Sequence, residues 1–346
     1  MAIEVFGVFA TPTLRNQLIA NTVLVAMATI MVGLRCVSRR MQHSAIWWDD
    51  VCAIACLIHT YGLLALEFVY ARIGMDRDVL DIPVQNISLI FKLMVLYEIL
   101  YYGATLLAKL AYLLLYIRIF VTRAFRIASW VCVGCAICYW LGSMLQVFLL
   151  CKPFSFIWDR SIPNGHCASI EVAFTAIGVC NLVTDVMILA LPLNFVYRLH
   201  MSKAAKLGIY AIFGVGFFVS AISAIRIDVI TNINVNNLSE SMTWAVFWSV
   251  TEPVVAVSNS CLPMLRPILQ LMFPRQPRSR QPGSSYPSRH CRAGSGAAGA
   301  ASNDTGPDEI PLTLVDEEDF VDAAFCRTPS LFLSPSPEPI PAKSIP

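Results

Sequence analysis

ISLIFKLMVLYEILYYGATLLAKLAYLLLYI, residues 87–117, decides the fold. A helix rises about 1.5 Å per residue, so about 20 residues cross a bilayer core of about 30 Å. This stretch is long enough to cross with length to spare, yet it holds Lys92, Glu98 and Lys109. Glu98, Tyr102, Thr105, Lys109, Tyr112 and Tyr116 recur at alternating steps of four and three, which places them on one stripe of a helix. A charge at the bilayer centre costs about 2.5–3.5 kcal/mol, and each Leu, Ile or Val returns about 0.3–0.6 kcal/mol. Insertion of the segment alone is therefore marginal. The balance predicts the central helix of a bundle, its polar stripe turned inward.

The rest of the chain agrees. Of 346 residues, 57% are hydrophobic and 14% charged, whereas soluble domains run near 25% charged. Seven apolar segments stand out, at about 18–34, 51–70, 87–117, 128–150, 170–196, 207–230 and 242–262. They predict an all-α membrane protein, a seven-transmembrane helix bundle spanning residues 18–272. A short extracellular N-terminus (1–17) precedes it, and a disordered cytosolic tail rich in Pro, Ser, Gly and Ala (273–346) follows. Lys and Arg set the orientation. They crowd the first, third and fifth loops and the start of the tail, whereas the other side holds only Arg15, Arg72, Arg77, Lys152 and Arg160. The N-terminus is accordingly expected outside and the C-terminus in the cytosol. Membrane lipid is the surrounding partner. A net charge of +2 gives no basis for nucleic-acid binding.

Asn86 and Asn237 begin sequons on the expected outer side and are the candidate glycosylation sites. Cys151 and Cys167 share one loop on that side, where the secretory lumen permits a disulfide. Closing a loop of this size is worth about 3 kcal/mol and would make a constrained lid; the alternative is two free thiols. In the tail, Thr328, Ser334 and Ser336 each precede a proline and are phosphorylation candidates, the alternative being a solvated tail. Asp49 and Asp50 open the second helix, where a carboxylate caps backbone N–H groups. They also offer a cytosolic charge latch with Arg39 or Arg118.

Inside the bundle, Asn181 and Asp185 lie one turn apart in the fifth segment, with Pro192 beyond them expected to kink it. Arg226 and Asp228 lie near the outer end of the sixth, placed to snorkel, and Glu252 precedes Pro253 in the seventh. An unpaired buried charge would neutralise, so ion pairing of Lys109 with Asp185 or Glu252 is expected. Glu98, Lys109, Asp185, Arg226 and Glu252 form the candidate polar network, either structural or ligand-binding. Cys132, Cys135 and Cys138 have helical spacing in apolar sequence without a His or acid partner, so no metal site is expected. No HExxH, GxSxG, P-loop or dinucleotide fingerprint occurs, so no catalytic residue is assigned. The seventh segment has no lysine to carry a retinal Schiff base, and no cofactor is expected.

Several of these pieces, in this order, resemble the fungal rhodopsin-like domain family. They are Trp48-Asp49-Asp50, Lys109 with Leu113–Phe120, Cys151-x-Pro153, Trp158 and Gly165-x-Cys167. Asn181-x-x-x-Asp185 with Leu191-Pro192, Arg226, Glu252, Cys261-Leu262-Pro263 and Arg266-Pro267 complete the set. The resemblance covers about residues 18–270. The family includes Pth-type receptor-like proteins of plant pathogens and integral membrane proteins of satratoxin-type toxin clusters. The chain departs from it at Gly74-Met75-Asp76-Arg77, where members often carry Gly-x-Gly-x-His. The resemblance implies a receptor-like sensor of a small molecule or surface cue, with a cytosolic signalling partner, in the plasma membrane or an endomembrane. The alternative it implies is a membrane enzyme, carrier or accessory protein of secondary-metabolite biosynthesis.

Overall fold

The structure, a computed structural model, describes residues 11–41, 45–75, 83–119, 122–196, 203–231 and 238–265. Among them are seven long helices: α1 (Pro12–Met41), α2 (Trp48–Ile73), α3 (Val84–Ile119), α4 (Arg123–Leu149), α5 (Ile170–Val196), α6 (Lys203–Thr231) and α7 (Leu238–Cys261). Most run a turn or more beyond the apolar segments read from the sequence. Their polar ends hydrogen-bond as well in helix as outside it, so hydropathy marks the bilayer and not the helix end. α5 continues through Pro192. Asn237, the sequon residue before α7, and Thr328, Ser334 and Ser336 lie outside the described residues, as does the tail from 273 onward.

Six of the helices, α1 to α6, are long and apolar enough to cross a membrane. α7 falls short because it carries Glu252 and several Ser and Thr residues, which it buries against its neighbours. The helices pack in a ring in chain order, α7 closing on α1, while α3 and α7 also touch each other across it. α3 packs against α2, α4, α5 and α7, the central place its polar stripe requires. The bundle is inverted relative to a soluble protein. Ile19, Val23, Met27 and Ile30 of α1 and Val131, Leu141, Leu145 and Phe148 of α4 face outward, whereas Asn21, Arg35, Lys109, Arg226 and Glu252 are buried. Lipid tails solvate the former as well as protein does, so the latter provide much of the specific helix-to-helix attraction.

Between α4 and α5, strands β1 (Cys151–Lys152) and β2 (His166–Cys167) pair antiparallel around a 3-10 turn at Phe154–Ile157. Cys151 and Cys167 face each other in the ladder and are joined by a disulfide. Phe154 packs edge-on to Trp158 at 5.2 Å and on Phe148 of α4 at 5.6 Å, anchoring the loop to the bundle end. Asn164 takes a left-handed conformation (φ 62°) beside Gly165, where a Cβ would meet the Phe156 ring at 2.1 Å. Only glycine fits that close approach.

Candidate functional site

Among the described residues, two ionic clusters occupy the interior. The first ties α1, α2 and the end of α7. Arg35 Nε donates to Asp50 Oδ1 at 2.7 Å, Nη2 to Asp49 Oδ2 at 2.6 Å, and Nη1 to the Ser260 carbonyl at 2.8 Å. Arg39 adds Nη2 to Asp49 at 2.7 Å and Nε to Asp50 at 3.1 Å. Arg118 of α3 reaches Asp49 only at 4.0 Å, with its guanidinium over the Trp47 ring at 5.4 Å. Asp50 Oδ2 also accepts the Trp47 N–H, so capping and ion pairing share one carboxylate. Ser38 Oγ donates to the Met264 carbonyl at 2.7 Å, joining the same helix ends. The latch thus centres on Arg35, a residue the sequence reading did not select. It lies one turn before Arg39, and i, i+4 arginines facing an Asp pair are the signal that could have found it.

The second cluster lies mid-bundle, where α3, α5, α6 and α7 converge. Lys109 Nζ pairs with Asp185 Oδ1 at 3.2 Å and donates to Asn181 Oδ1 at 2.9 Å, to the Asn181 carbonyl at 3.1 Å, and to Thr184 Oγ1. Asn181 Nδ2 then donates to Glu252 Oε1 at 2.6 Å. Glu252 Oε2 accepts from Tyr101 at 2.8 Å and faces Arg226 Nη1 at 3.7 Å, whose guanidinium stacks 4.2 Å over the Tyr101 ring. Lys109 also stands over Tyr139 at 4.9 Å, bringing in α4. Ser223 of α6 lies between the two acids, 3.0 Å from Asp185 Oδ2 and 3.1 Å from Glu252 Oε1. One hydroxyl carries one proton, so it donates to one acid at a time. In their ionised forms, Lys109 and Arg226 balance Asp185 and Glu252. Lys109 therefore pairs with Asp185 rather than Glu252.

Arg226 does not snorkel outward. It is 4% exposed, held in by Tyr101 and Glu252, while Asp228 two residues on is exposed. Glu98, at the head of the α3 stripe, takes no part in the hydrogen-bonded cluster but lines a cavity beside Arg226. Tyr97 and Tyr101, one residue ahead of that stripe, were missed: Tyr97 donates to the Val246 carbonyl at 2.8 Å and Tyr101 to Glu252. Also missed were Asn21 and Glu67, which meet at 3.0 Å between α1 and α2, with Thr251 of α7 donating to Asn21 Oδ1 at 3.1 Å. Glu67 is the lone carboxylate in the middle of an apolar run, and that isolation is a readable signal. Asn86 is buried and its Nδ2 donates to the Ile73 carbonyl at 3.1 Å, so a sugar has no room on it in this conformation. The tripeptide alone does not reveal that burial.

The cavity measures about 490 Å³ and opens beneath the disulfide loop. Its walls come from α3, α4, α5, α6 and α7 and from Cys151, Ile157 and Arg160 of the loop. Its size falls in the range of about 300–1,000 Å³ of small-molecule sites. A second cavity, of about 50 Å³, lies deeper against Lys109, Asp185 and Glu252.

Six membrane-length helices, a disulfide-capped cavity and a buried ion cluster beneath it define a multi-pass membrane protein of the seven-helix kind. The family model described as the fungal rhodopsin domain matches residues 34–271, and the chain belongs to that family. It is 34% identical to a SAT4 family membrane protein of Emericella nidulans over 54% of this chain and 49% of that one. A polyenoic acids biosynthesis gene cluster protein of Metarhizium anisopliae is 28% identical over 72% of each chain. A satratoxin biosynthesis cluster protein of Stachybotrys chartarum is 26% identical over 47% of this chain and 60% of that one. The chain spans about half the length of the first and less than two thirds of the last. No solved structure matched. The retinal that the family's description evokes does not fit these residues: α7 holds no lysine, and Lys109 is engaged by Asn181, Thr184 and Asp185 against a cavity of only about 50 Å³.

Proposed function

We propose that this chain is a receptor-like sensor of a small molecule that enters under the Cys151–Cys167 loop from outside the cell. In this reading the N-terminus is outside, α7 makes the seventh crossing, and the Arg35–Asp50 cluster faces the cytosol of a plasma-membrane protein. The observation that carries it is continuity. Arg226 and Tyr101 line the 490 Å³ cavity, and both also contact Glu252, which Asn181 connects to Lys109. Occupancy of the cavity therefore bears on the ion cluster that holds α3, α5, α6 and α7 together, and a ligand that favours one arrangement shifts the population of the bundle. The Arg-rich loops and the tail, with Thr328, Ser334 and Ser336, would present that shift to a cytosolic partner.

A second reading has a specific observation in its favour: two of the relatives described above carry names that place them in biosynthetic clusters. The chain would then be a carrier, enzyme or accessory protein of a secondary-metabolite pathway. A strain lacking the gene separates the two when metabolites and transcripts are measured together. Loss of a product with steady transcripts of the other pathway genes supports the second reading. A change in those transcripts supports the sensor, and there Glu252→Gln should abolish the response while the protein still reaches the membrane.

A further inference from the structure

We infer that the cavity beneath the disulfide loop takes an amphiphile with a single oxyanion head, the head docking on Arg226 and the apolar body lying between α3, α4, α5 and α7. The inference rests on the small-molecule reading above and names the ligand's chemistry. Arg226 is 4% exposed and lines the cavity, and its Nη1 has no hydrogen-bond acceptor among the described residues. Glu252, at 3.7 Å, is an ion-pair partner but too far for a hydrogen bond. A guanidinium presents five N–H donors in a planar fork that matches a carboxylate or phosphate, and a buried donor left unmade is costly. Two hydroxyls near it are committed. Tyr101 donates to Glu252 and Tyr97 to the Val246 carbonyl, so neither hydroxyl proton is free for a ligand.

The remaining charges on the cavity wall are Glu98, Glu171 and Arg160. No ion pair joins Glu98 to Arg226, so Glu98 does not occupy the fork, and the one guanidinium arm left without an acceptor matches a single oxyanion head. Most of the remaining wall is apolar, including Phe91, Met94, Val147, Phe174 and Met242. An apolar body with one anionic end is the molecule that satisfies both parts. A free organic acid and an anionic phospholipid share this chemistry.

The test is saturable binding of tritiated decanoic acid to the full chain in phosphatidylcholine nanodiscs, with unlabelled decanoic acid, decanol and decylamine as competitors. The expected result is that the acid competes at least tenfold better than the alcohol or the amine. Arg226→Gln should remove that preference and Arg226→Lys should restore part of it. Ala245→Trp, which puts a large side chain into the cavity and leaves every charged residue in place, should abolish saturable binding. Equal competition by acid and alcohol overturns the oxyanion assignment and leaves the cavity reading standing. Undiminished acid binding in Ala245→Trp overturns the location. Absence of saturable binding by any probe overturns the inference and the cavity reading together. If phosphatidic acid in the nanodiscs displaces decanoate, the oxyanion is supplied by the bilayer; if it does not, the ligand is a free acid.

Discussion

Lys109 shows what a buried charge demands. Its ammonium spends its donors on Asn181, Thr184 and Asp185 inside the bundle. Removing one partner of such a pair strands the other, at a cost of about 3–5 kcal/mol. Lys109→Met should therefore sharply lower the temperature at which the detergent-extracted protein loses its monodisperse chromatographic peak. Lys109→Met with Asp185→Asn should recover much of that loss, and a double variant no more stable than the single would show that the pair is not coupled. The arginines of the other cluster are graded in the same way. Arg35 is fully buried with three short contacts, whereas Arg118 is 21% exposed and 4.0 Å from its acid. Exposed pairs are worth about 0.2–1 kcal/mol. Arg35→Gln should thus impair folding severely and Arg118→Gln hardly at all, read as folded yield in membranes.

At the scale of elements, the loop between α4 and α5 is built to stay in place. Its ladder, disulfide and aromatic stack are local, and a Cβ on Gly165 would collide with the Phe156 ring, over which Arg160 stacks at 5.0 Å. Gly165→Ala should displace that ring and open the cavity mouth, detected as faster proteolysis within the loop while the helices stay protected. Unchanged cleavage would mean that the ring moves without disturbing the lid. The sequence already marked this loop by its two cysteines. α3 was legible for the same reason: a helix in lipid must show its period, and the stripe from Tyr102 to Tyr116 is buried as that period requires. Glu98, at the same period, is not held by the cluster because at its level the neighbouring helices draw back to leave the cavity.

For the molecule as a whole, the bundle decides which surface motifs are usable. Asn86 sits at the start of α3, packed under the end of α2 through the Ile73 carbonyl. Endoglycosidase treatment of the native protein should therefore produce no mobility shift attributable to Asn86, and Asn86→Gln should lower stability without changing apparent mass. A shift lost in Asn86→Gln would show that this end opens during synthesis.

What the sequence determined by itself is what each segment owes to its solvent. Lipid imposes a length, an apolar surface and a helical period on every crossing, and these are local properties, so the membrane class, the helices and the charged members of the mid-bundle polar stripe could be read residue by residue. Which carboxylate meets which cation could not. Asp185 rather than Glu252 for Lys109, Arg35 at the centre of the Asp49–Asp50 cluster, the inward turn of Arg226, and the cavity beside it depend on the rotation and neighbours of helices far apart in the chain. Those are set by the packing of the whole bundle, where an error of one helical step would leave a charge unpaired in hydrocarbon.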